Sequence, residues 1–170
     1  MDKIYTTQLI GLLKKMNDLH LEELENAARL LSQSIIANGT IYVKGIKELR
    51  ALEEAVSSGF EPFPNVKIYD QQTPTALDRF LLFSPDGTDQ ETESILSTCQ
   101  QEGTPVILIV SEKEYTGSHL VDSLFALGAS KGLTPNEKGE RVGHPGLLAA
   151  LYLSNQLYLN IDDILNEIED

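Results

Sequence analysis

Apolar residues in the first part of the chain recur at helical spacing. Between residues 21 and 36 they stand three or four positions apart, at Leu21, Leu24, Ala27, Ala28, Leu31 and Ile35. This period predicts an amphipathic helix, and Asn38-Gly39 is typical of a helix stop. An earlier helix is predicted from a second apolar set, Ile4, Leu9, Leu12, Leu13 and Met16. The pattern therefore predicts two helices before the first strand, in an N-terminal helical segment of residues 1–38.

Beyond residue 38, short apolar runs alternate with amphipathic stretches. The runs predict strands at 40–43, 66–70, 79–83, 105–110 and 123–127. The stretches predict helices at 47–58, 89–103 and 144–159, and a short acidic helix at 161–170 capped by Asn160 or Asp162. Continuous apolar strands between helices are typical of a parallel sheet covered on both faces.

This order predicts an α/β fold, a three-layer doubly wound parallel sheet of about five strands with N-terminal helices. The 170 residues suit one domain. Within it we expect the helical segment 1–38, an α/β core at 39–160 and the acidic C-terminal helix at 161–170.

Composition narrows the range of partners. The net charge is −13, and no cluster of Lys and Arg stands anywhere in the sequence, so nucleic acid and anionic membranes are not expected ligands. A single cysteine, Cys99, and three scattered histidines offer no zinc-ligand spacing, and we expect neither a metal nor a cofactor. The N-terminus has no signal-peptide pattern, and no apolar run reaches 18 residues, which predicts a cytoplasmic protein.

Two loops are placed where such sheets bind ligands. Parallel sheets bind ligands at the carboxyl ends of their strands. There the chain has KGIKE (44–48) after the first strand and SPDGTD (84–89) after the third. The polar, turn-rich stretch 130–143 is predicted to be a long loop that could cover these ends.

Two segments share the plan of strand, glycine-containing loop and helix. They are ARLLSQSIIANGTIYVKGIKELRALEEAV (28–56) and DRFLLFSPDGTDQETESILSTCQQEGTPVILIVS (78–111). This layout resembles the sugar isomerase (SIS) family, the phosphoheptose isomerases in particular, over roughly residues 20–160. The resemblance implies a SIS-type fold, a sugar-phosphate ligand, aldose–ketose isomerisation and a homodimer formed through the N-terminal helices and helix 144–159.

The family's phosphate loop reads Ser-x-Ser-Gly-x-Thr/Ser, and this chain departs from it. Asp86 stands at the second serine position and Asp89 at the threonine position, and Lys47 lies at or near a hydroxyl position of the first loop. An ionised carboxylate cannot donate a hydrogen bond, and at ~4 Å from a phosphate charge it costs about 4 kcal/mol. The ligand-binding residues implied by the resemblance are Gly45, Lys47, Ser84, Asp86, Gly87, Thr88 and Asp89.

Several interpretations of this loop follow. Lys47 could pair with Asp86 or Asp89 and fill an empty site, could supply positive charge to a phosphate while the aspartates turn away, or a metal could bridge the aspartates. Without any ligand, Asp86 would form a turn and Asp89 would cap helix 89–103. For Lys47 we favour pairing, and we expect a short Lys47–Asp86 contact.

Isomerisation moves a proton between neighbouring carbons and needs an acid and a base. The phosphoheptose isomerases use a glutamate and a histidine, and the resemblance points to Glu48 and His144 as the catalytic candidates. The family's Gln/Glu-x-x-His spacing is absent from helix 144–159, and His144 could equally stand at a helix start. Two hypotheses therefore stand: a sugar-phosphate isomerase, or a non-catalytic SIS-fold binding or regulatory module.

Overall fold

A five-stranded parallel sheet forms the centre of the molecule. The computed structural model describes residues 1–169. In chain order the strands are β1 (Ile41–Gly45), β2 (Val66–Ile68), β3 (Arg79–Ser84), β4 (Val106–Val110) and β5 (Ser123–Ala126). Their order in the sheet is β2-β1-β3-β4-β5, and every neighbouring pair is parallel. The predicted sheet is confirmed, and each strand lies within about two residues of its predicted range.

Helices cover both faces of this sheet. They are α1 (Asp2–Ile36), α2 (Ala51–Ser58), α3 (Gln90–Glu102) and α4 (Gly146–Glu169), and a 3₁₀ turn (Lys47–Arg50) precedes α2. No helix among residues 1–169 combines the length and apolarity that crossing a bilayer requires. Leu81 and Phe83 face the core shared with α1, α2 and α4, whereas Phe80 and Leu82 face the core shared with α3. This alternation follows from the two-residue repeat of a strand.

The prediction of two N-terminal helices was wrong, because α1 is continuous from Asp2 to Ile36. No Gly or Pro stands between residues 12 and 38, and the polar residues Asn17 and Asp18 cost a helix little. Buried Met16 and Leu24 extend one apolar stripe across the expected break. Packing of that stripe against α4 therefore keeps α1 continuous across residues 17–20.

The predicted separate C-terminal helix was also wrong. Asn160 and Asp162 lie inside α4 and cap nothing, because Leu153, Leu157 and Ile161 form one buried stripe at four-residue spacing. The last residue of the predicted helix, Asp170, lies outside the described residues.

The stretch predicted as a loop at 130–143 contains a small antiparallel hairpin. Its strands are β6 (Thr134–Pro135) and β7 (Arg141–Val142). The Asn136 side chain closes the turn by accepting hydrogen bonds from the backbone N–H groups of Lys138 and Glu140, both at 2.9 Å. The chain therefore passes from β5 to α4 through ordered structure.

Candidate functional site

A cleft of about 200 Å³ opens at the carboxyl ends of β3, β4 and β5. We call it the carboxylate cleft, after the acidic side chains around it. Its polar lining consists of Glu48, Asp86, Ser111, Glu112, Ser130 and His144. These residues follow different strands or precede α4, and parallel pairing brings all of these connections to the same edge of the sheet. The fold thus brings together three of the predicted site residues, Glu48, Asp86 and His144.

One hydrogen bond fixes the His144 ring at the edge of the cleft. Its Nδ1 atom lies 3.1 Å from the carbonyl oxygen of Ser130. A carbonyl oxygen only accepts, so Nδ1 is the donor in this contact, and in the neutral form of the ring Nε2 keeps a lone pair. The Ser130 hydroxyl in turn donates to Glu112 Oε2 at 2.9 Å. The cleft therefore holds an imidazole beside the carboxylates.

Ser111 supplies an unused hydroxyl at the floor of the cleft. Its side chain is buried, and its Oγ has no hydrogen-bond partner among the described residues. A Cβ on Gly146, the first residue of α4, would lie 3.0 Å from this oxygen, so the close approach of α4 to Ser111 suits a glycine. Ser32 and Ser34, buried in α1, also have hydroxyls without a partner among the described residues, but of these three serines only Ser111 lines the cleft.

The loop that resembles a phosphate site holds its own carboxylate instead. Asp89 accepts hydrogen bonds from the backbone N–H of Thr92 (2.8 Å), the hydroxyl of Thr92 (2.7 Å) and the hydroxyl of Ser84 (2.8 Å). Burial alone would raise the pKa of Asp89, but these hydrogen bonds outweigh it and lower the pKa from its ordinary value. The interpretation of Asp89 as the cap of α3 is confirmed.

The other donors of this loop are occupied as well. The N–H of Gly87 donates to Ser84 Oγ at 2.9 Å, and the N–H of Thr88 donates to Asp86 Oδ1 at 2.9 Å. Asp86 therefore forms the expected turn, and Gly87 adopts the φ of 77° that the turn requires. Side chains of the loop thus take the N–H groups of Gly87, Thr88 and Thr92, which a phosphate would otherwise use.

The predicted Lys47–Asp86 pair is not formed. Lys47 is exposed and takes part in no ion pair within residues 1–169. Its φ of 56° turns the chain sharply after β1. Asp86 instead accepts the hydrogen bond from Thr88. A lysine does pair with acids near these loops, but it is a different one.

That lysine is Lys44, on β1. Its Nζ lies 3.6 Å from Glu53 and 3.4 Å from Glu91, and Glu53 also accepts a hydrogen bond from the N–H of Gly45 at 3.1 Å. Lys44 and the carboxylates of Glu53 and Glu91 thus connect the first loop to the starts of α2 and α3. The only signal in the sequence is a lysine inside an otherwise apolar strand, followed by acidic residues in two helix starts.

A metal between Asp86 and Asp89 is not supported. Both carboxylate oxygens of Asp89 already accept hydrogen bonds from Thr92 and Ser84. No cluster of three or more His, Cys, Asp or Glu side chains in the described part of the chain could hold a metal ion.

Comparison with known sequences places the chain in a family. The model of the family described as "Domain of unknown function (DUF2529)" matches residues 1–165. The chain belongs to the DUF2529 family. It is also similar to the Bacillus subtilis (strain 168) protein described as "Uncharacterized protein YwjG", with 33% identity over 175 residues, 97% of this chain and 98% of that protein.

Comparison with solved structures relates this DUF2529 chain to SIS domains by fold. The sugar isomerase domain of the RpiR transcription factor from Sphaerobacter thermophilus matches with a TM-score of 0.68 at 15% identity, over 99% of this chain and 98% of that one. The putative phosphosugar isomerase involved in capsule formation from Bacteroides fragilis NCTC 9343 matches with a TM-score of 0.64 at 16% identity, over 95% and 91%. At these identities the likeness shows the fold alone, and it confirms the SIS-type architecture.

A longer protein shares this fold as well. The Vibrio vulnificus NanR protein complexed with ManNAc-6P matches with a TM-score of 0.70 at 9% identity. The match covers 97% of the DUF2529 chain but 62% of NanR. The chain therefore spans somewhat less than two thirds of that protein.

Proposed function

We propose that this DUF2529 protein binds a sugar phosphate, with the sugar in the carboxylate cleft. The observation that carries the proposal is the position of the cleft, at the carboxyl edge of a SIS-type sheet, with carboxylates, hydroxyls and an imidazole around it. Carboxylates accept hydrogen bonds from sugar hydroxyls. One protein of the same fold is described in complex with ManNAc-6P and another as a putative phosphosugar isomerase, which supports this ligand class.

The size of the cleft agrees with a small ligand. At about 200 Å³, it lies below the range of about 300 to 1,000 Å³ for drug-sized molecules. A monosaccharide suits it better than a nucleotide or a polymer. Ser111 Oγ, which is buried and unpartnered within residues 1–169, would gain a hydrogen bond from such a ligand.

The residues of the cleft also suit aldose–ketose isomerisation, and we include it in the proposal. Glu48 is an exposed carboxylate, and His144 in its neutral form offers the lone pair of Nε2 on the same cleft. Glu48 would take the proton from the carbon next to the carbonyl, and His144 would move a proton between the two oxygens. This division supplies the acid and the base that the reaction needs.

A second candidate function is binding without turnover, and one observation favours it. The loop at 84–89 uses its own side chains to satisfy the N–H groups of Gly87 and Thr88. An isomerase of the family resembled would direct such groups at the phosphate. A protein of this kind would sense a sugar derivative and transmit its presence to a partner.

The cleft is tested by calorimetric titration with C5–C7 sugar phosphates, amino-sugar phosphates and the matching free sugars. We expect one sugar phosphate to bind, and we expect Glu48→Gln and His144→Asn each to weaken it about tenfold or more, since each loses about one charged or polar contact. Glu61→Gln, an equal change at an exposed position outside the cleft, is the matched control. Absence of binding by every compound, or equal weakening by the control, would contradict the proposal.

Turnover is tested separately with the compound that binds. Deuterium exchange at the carbon next to the carbonyl, followed by NMR in D₂O, detects proton abstraction even where net conversion is slow. Exchange that disappears in Glu48→Gln supports isomerisation. Binding without exchange supports the sensing module.

We also propose a homodimer formed through α4. Leu148, Leu151 and Leu159 are exposed on this helix, by 47%, 36% and 59%. Positions 148, 151 and 159 fall within one side of an α-helix. Exposed apolar stripes of this kind are typical of protein–protein contacts.

A further inference from the structure

A second and larger cavity lies beside the carboxylate cleft, and no residue of the loops at 44–48 and 84–89 lines it. It measures about 560 Å³ and is bounded by the N-terminal half of α1 on one side and by the chain that follows β4 and β5 on the other. We call it the α1 groove. Its apolar lining includes Leu12, Met16, Leu19 and Leu127. This volume and lining are typical of small-molecule sites.

Three lysines surround the α1 groove in a chain whose net charge is −13. They are Lys15 on α1, Lys113 after β4 and Lys131 after β5. Within the described residues none of them lies within ion-pair distance of a carboxylate. The one acidic residue of the lining, Glu112, accepts a hydrogen bond from Ser130 instead. The fold therefore collects unpaired positive charge at this place, which attracts an anion.

His20 adds a polar atom that lacks a partner. Its Nε2 is buried and makes no hydrogen bond to any described residue. Its ring packs edge-on against Phe125, with centroids 5.6 Å apart, so the imidazole is held in place. Burial lowers the pKa of His20, although the Ala126 backbone and Glu23 act in the opposite direction. A neutral, fixed imidazole can bind an oxygen or a nitrogen of a ligand.

We propose that the α1 groove binds a small organic anion with an apolar body, such as an aromatic or aliphatic carboxylate or phosphate. The lysines would hold the anionic group, and Leu12, Leu19 and Leu127 would cover the apolar part. This site neighbours the carboxylate cleft, since Glu112 and Ser130 line both. It does not rest on the proposed sugar-phosphate function.

The groove is tested with two dyes of similar shape. The probe is 8-anilino-1-naphthalenesulfonate, and N-phenyl-1-naphthylamine is its uncharged counterpart. We expect the full-length protein to bind one sulfonate molecule at least tenfold more tightly than the uncharged dye. The triple variant Lys15→Gln/Lys113→Gln/Lys131→Gln should lose this preference.

The matched control is Lys3→Gln/Lys67→Gln/Lys138→Gln. It changes the net charge by the same amount at exposed positions outside the groove, and we expect it to bind the sulfonate as the wild type does. Circular dichroism of each variant confirms that it is folded. Unchanged binding by the first triple variant, or equal weakening by the control, overturns the proposal.

The position of the dye is checked by the imidazole ¹⁵N signals of the three histidines. We expect the dye to shift the Nε2 signal of His20 and to leave His119 unchanged, since His119 lies outside the groove. Saturation with several dye molecules, or no shift at His20, also overturns the proposal. A second copy of the chain seated in the groove would appear as the same absence of shift.

Discussion

Asp89 places a carboxylate of the chain itself inside the loop at 84–89. Its carboxylate accepts three hydrogen bonds from Ser84 and Thr92, so the anion in this loop is part of the chain. The sequence predicted the cap, because an Asp three residues before a helical Thr is a local signal. It could not show that Ser84, five residues away, would join the same carboxylate.

Replacing Asp89 should destabilise the protein in a pH-dependent way. Asp89→Ala removes the cap of α3, and at pH 7 we expect a loss of about 1 to 2 kcal/mol in the free energy of unfolding. The pKa of Asp89 is lowered in the folded state. Its contribution is therefore full above the unfolded pKa of about 3.9 and is lost as the pH falls through the lower folded value.

Urea unfolding of wild type and variant at pH 7 and near pH 2.5 measures this difference. Asp18→Ala, at an exposed position of α1, is the control and should show little change at either pH. A difference for Asp89→Ala that is as large in acid as at pH 7 would show that the carboxylate charge is not the cause.

Arg79 joins two elements at the opposite, amino-terminal edge of the sheet. It is the first residue of β3, and its buried guanidinium donates to the backbone carbonyls of Leu30 (2.9 Å), Ala76 (3.1 Å) and Asp78 (2.7 Å). Burial lowers its pKa from the ordinary value, against the opposing effect of Asp122 and Asp78. These bonds attach α1 to the start of the central strand. Helix and strand periodicity predicted both elements but not this connection between them.

Removing the hydrogen bonds of Arg79 should lower the free energy of unfolding. Arg79→Met leaves three carbonyls without their charged donor, and we expect a loss on the order of 3 kcal/mol in the free energy of unfolding. Arg141→Met is the matched control. The exposed Arg141 donates to the carbonyls of Gly132 and Leu133, just before β6, and its loss should cost about 1 kcal/mol or less. Equal midpoints of urea unfolding for the two variants would contradict the role given to Arg79.

At the scale of the whole molecule, charge and exposed apolar surface act in opposite directions on assembly. A net charge of −13 favours separation of copies, whereas the stripe on α4 favours contact. Apolar contact is short-ranged and charge repulsion is screened beyond about 8 Å at physiological salt. We therefore expect association through α4 to prevail at that salt concentration.

Light scattering coupled to size-exclusion chromatography should give twice the mass of one chain for the wild type. Leu148→Glu/Leu151→Glu places two charges in the stripe and should yield a monomer. Leu77→Glu, at a residue that is 59% exposed and lies before β3, should leave the mass unchanged. A wild-type monomer at tens of micromolar would rule out the proposed dimer.

What the sequence determined by itself is the kind and order of the elements and the local chemistry of their ends. Strands, helices and the cap at Asp89 depend on residues that are close together in the sequence. The sequence alone therefore predicts them. Only the tertiary structure decided that α1 is one continuous helix and not two. Its continuity depends on a buried apolar stripe that includes Met16 and Leu24. It also decided that Lys44, not Lys47, meets the carboxylates. The α1 groove likewise could not be predicted from the sequence. Its lysines, Lys15, Lys113 and Lys131, are far apart in the chain and line one cavity only in the folded protein.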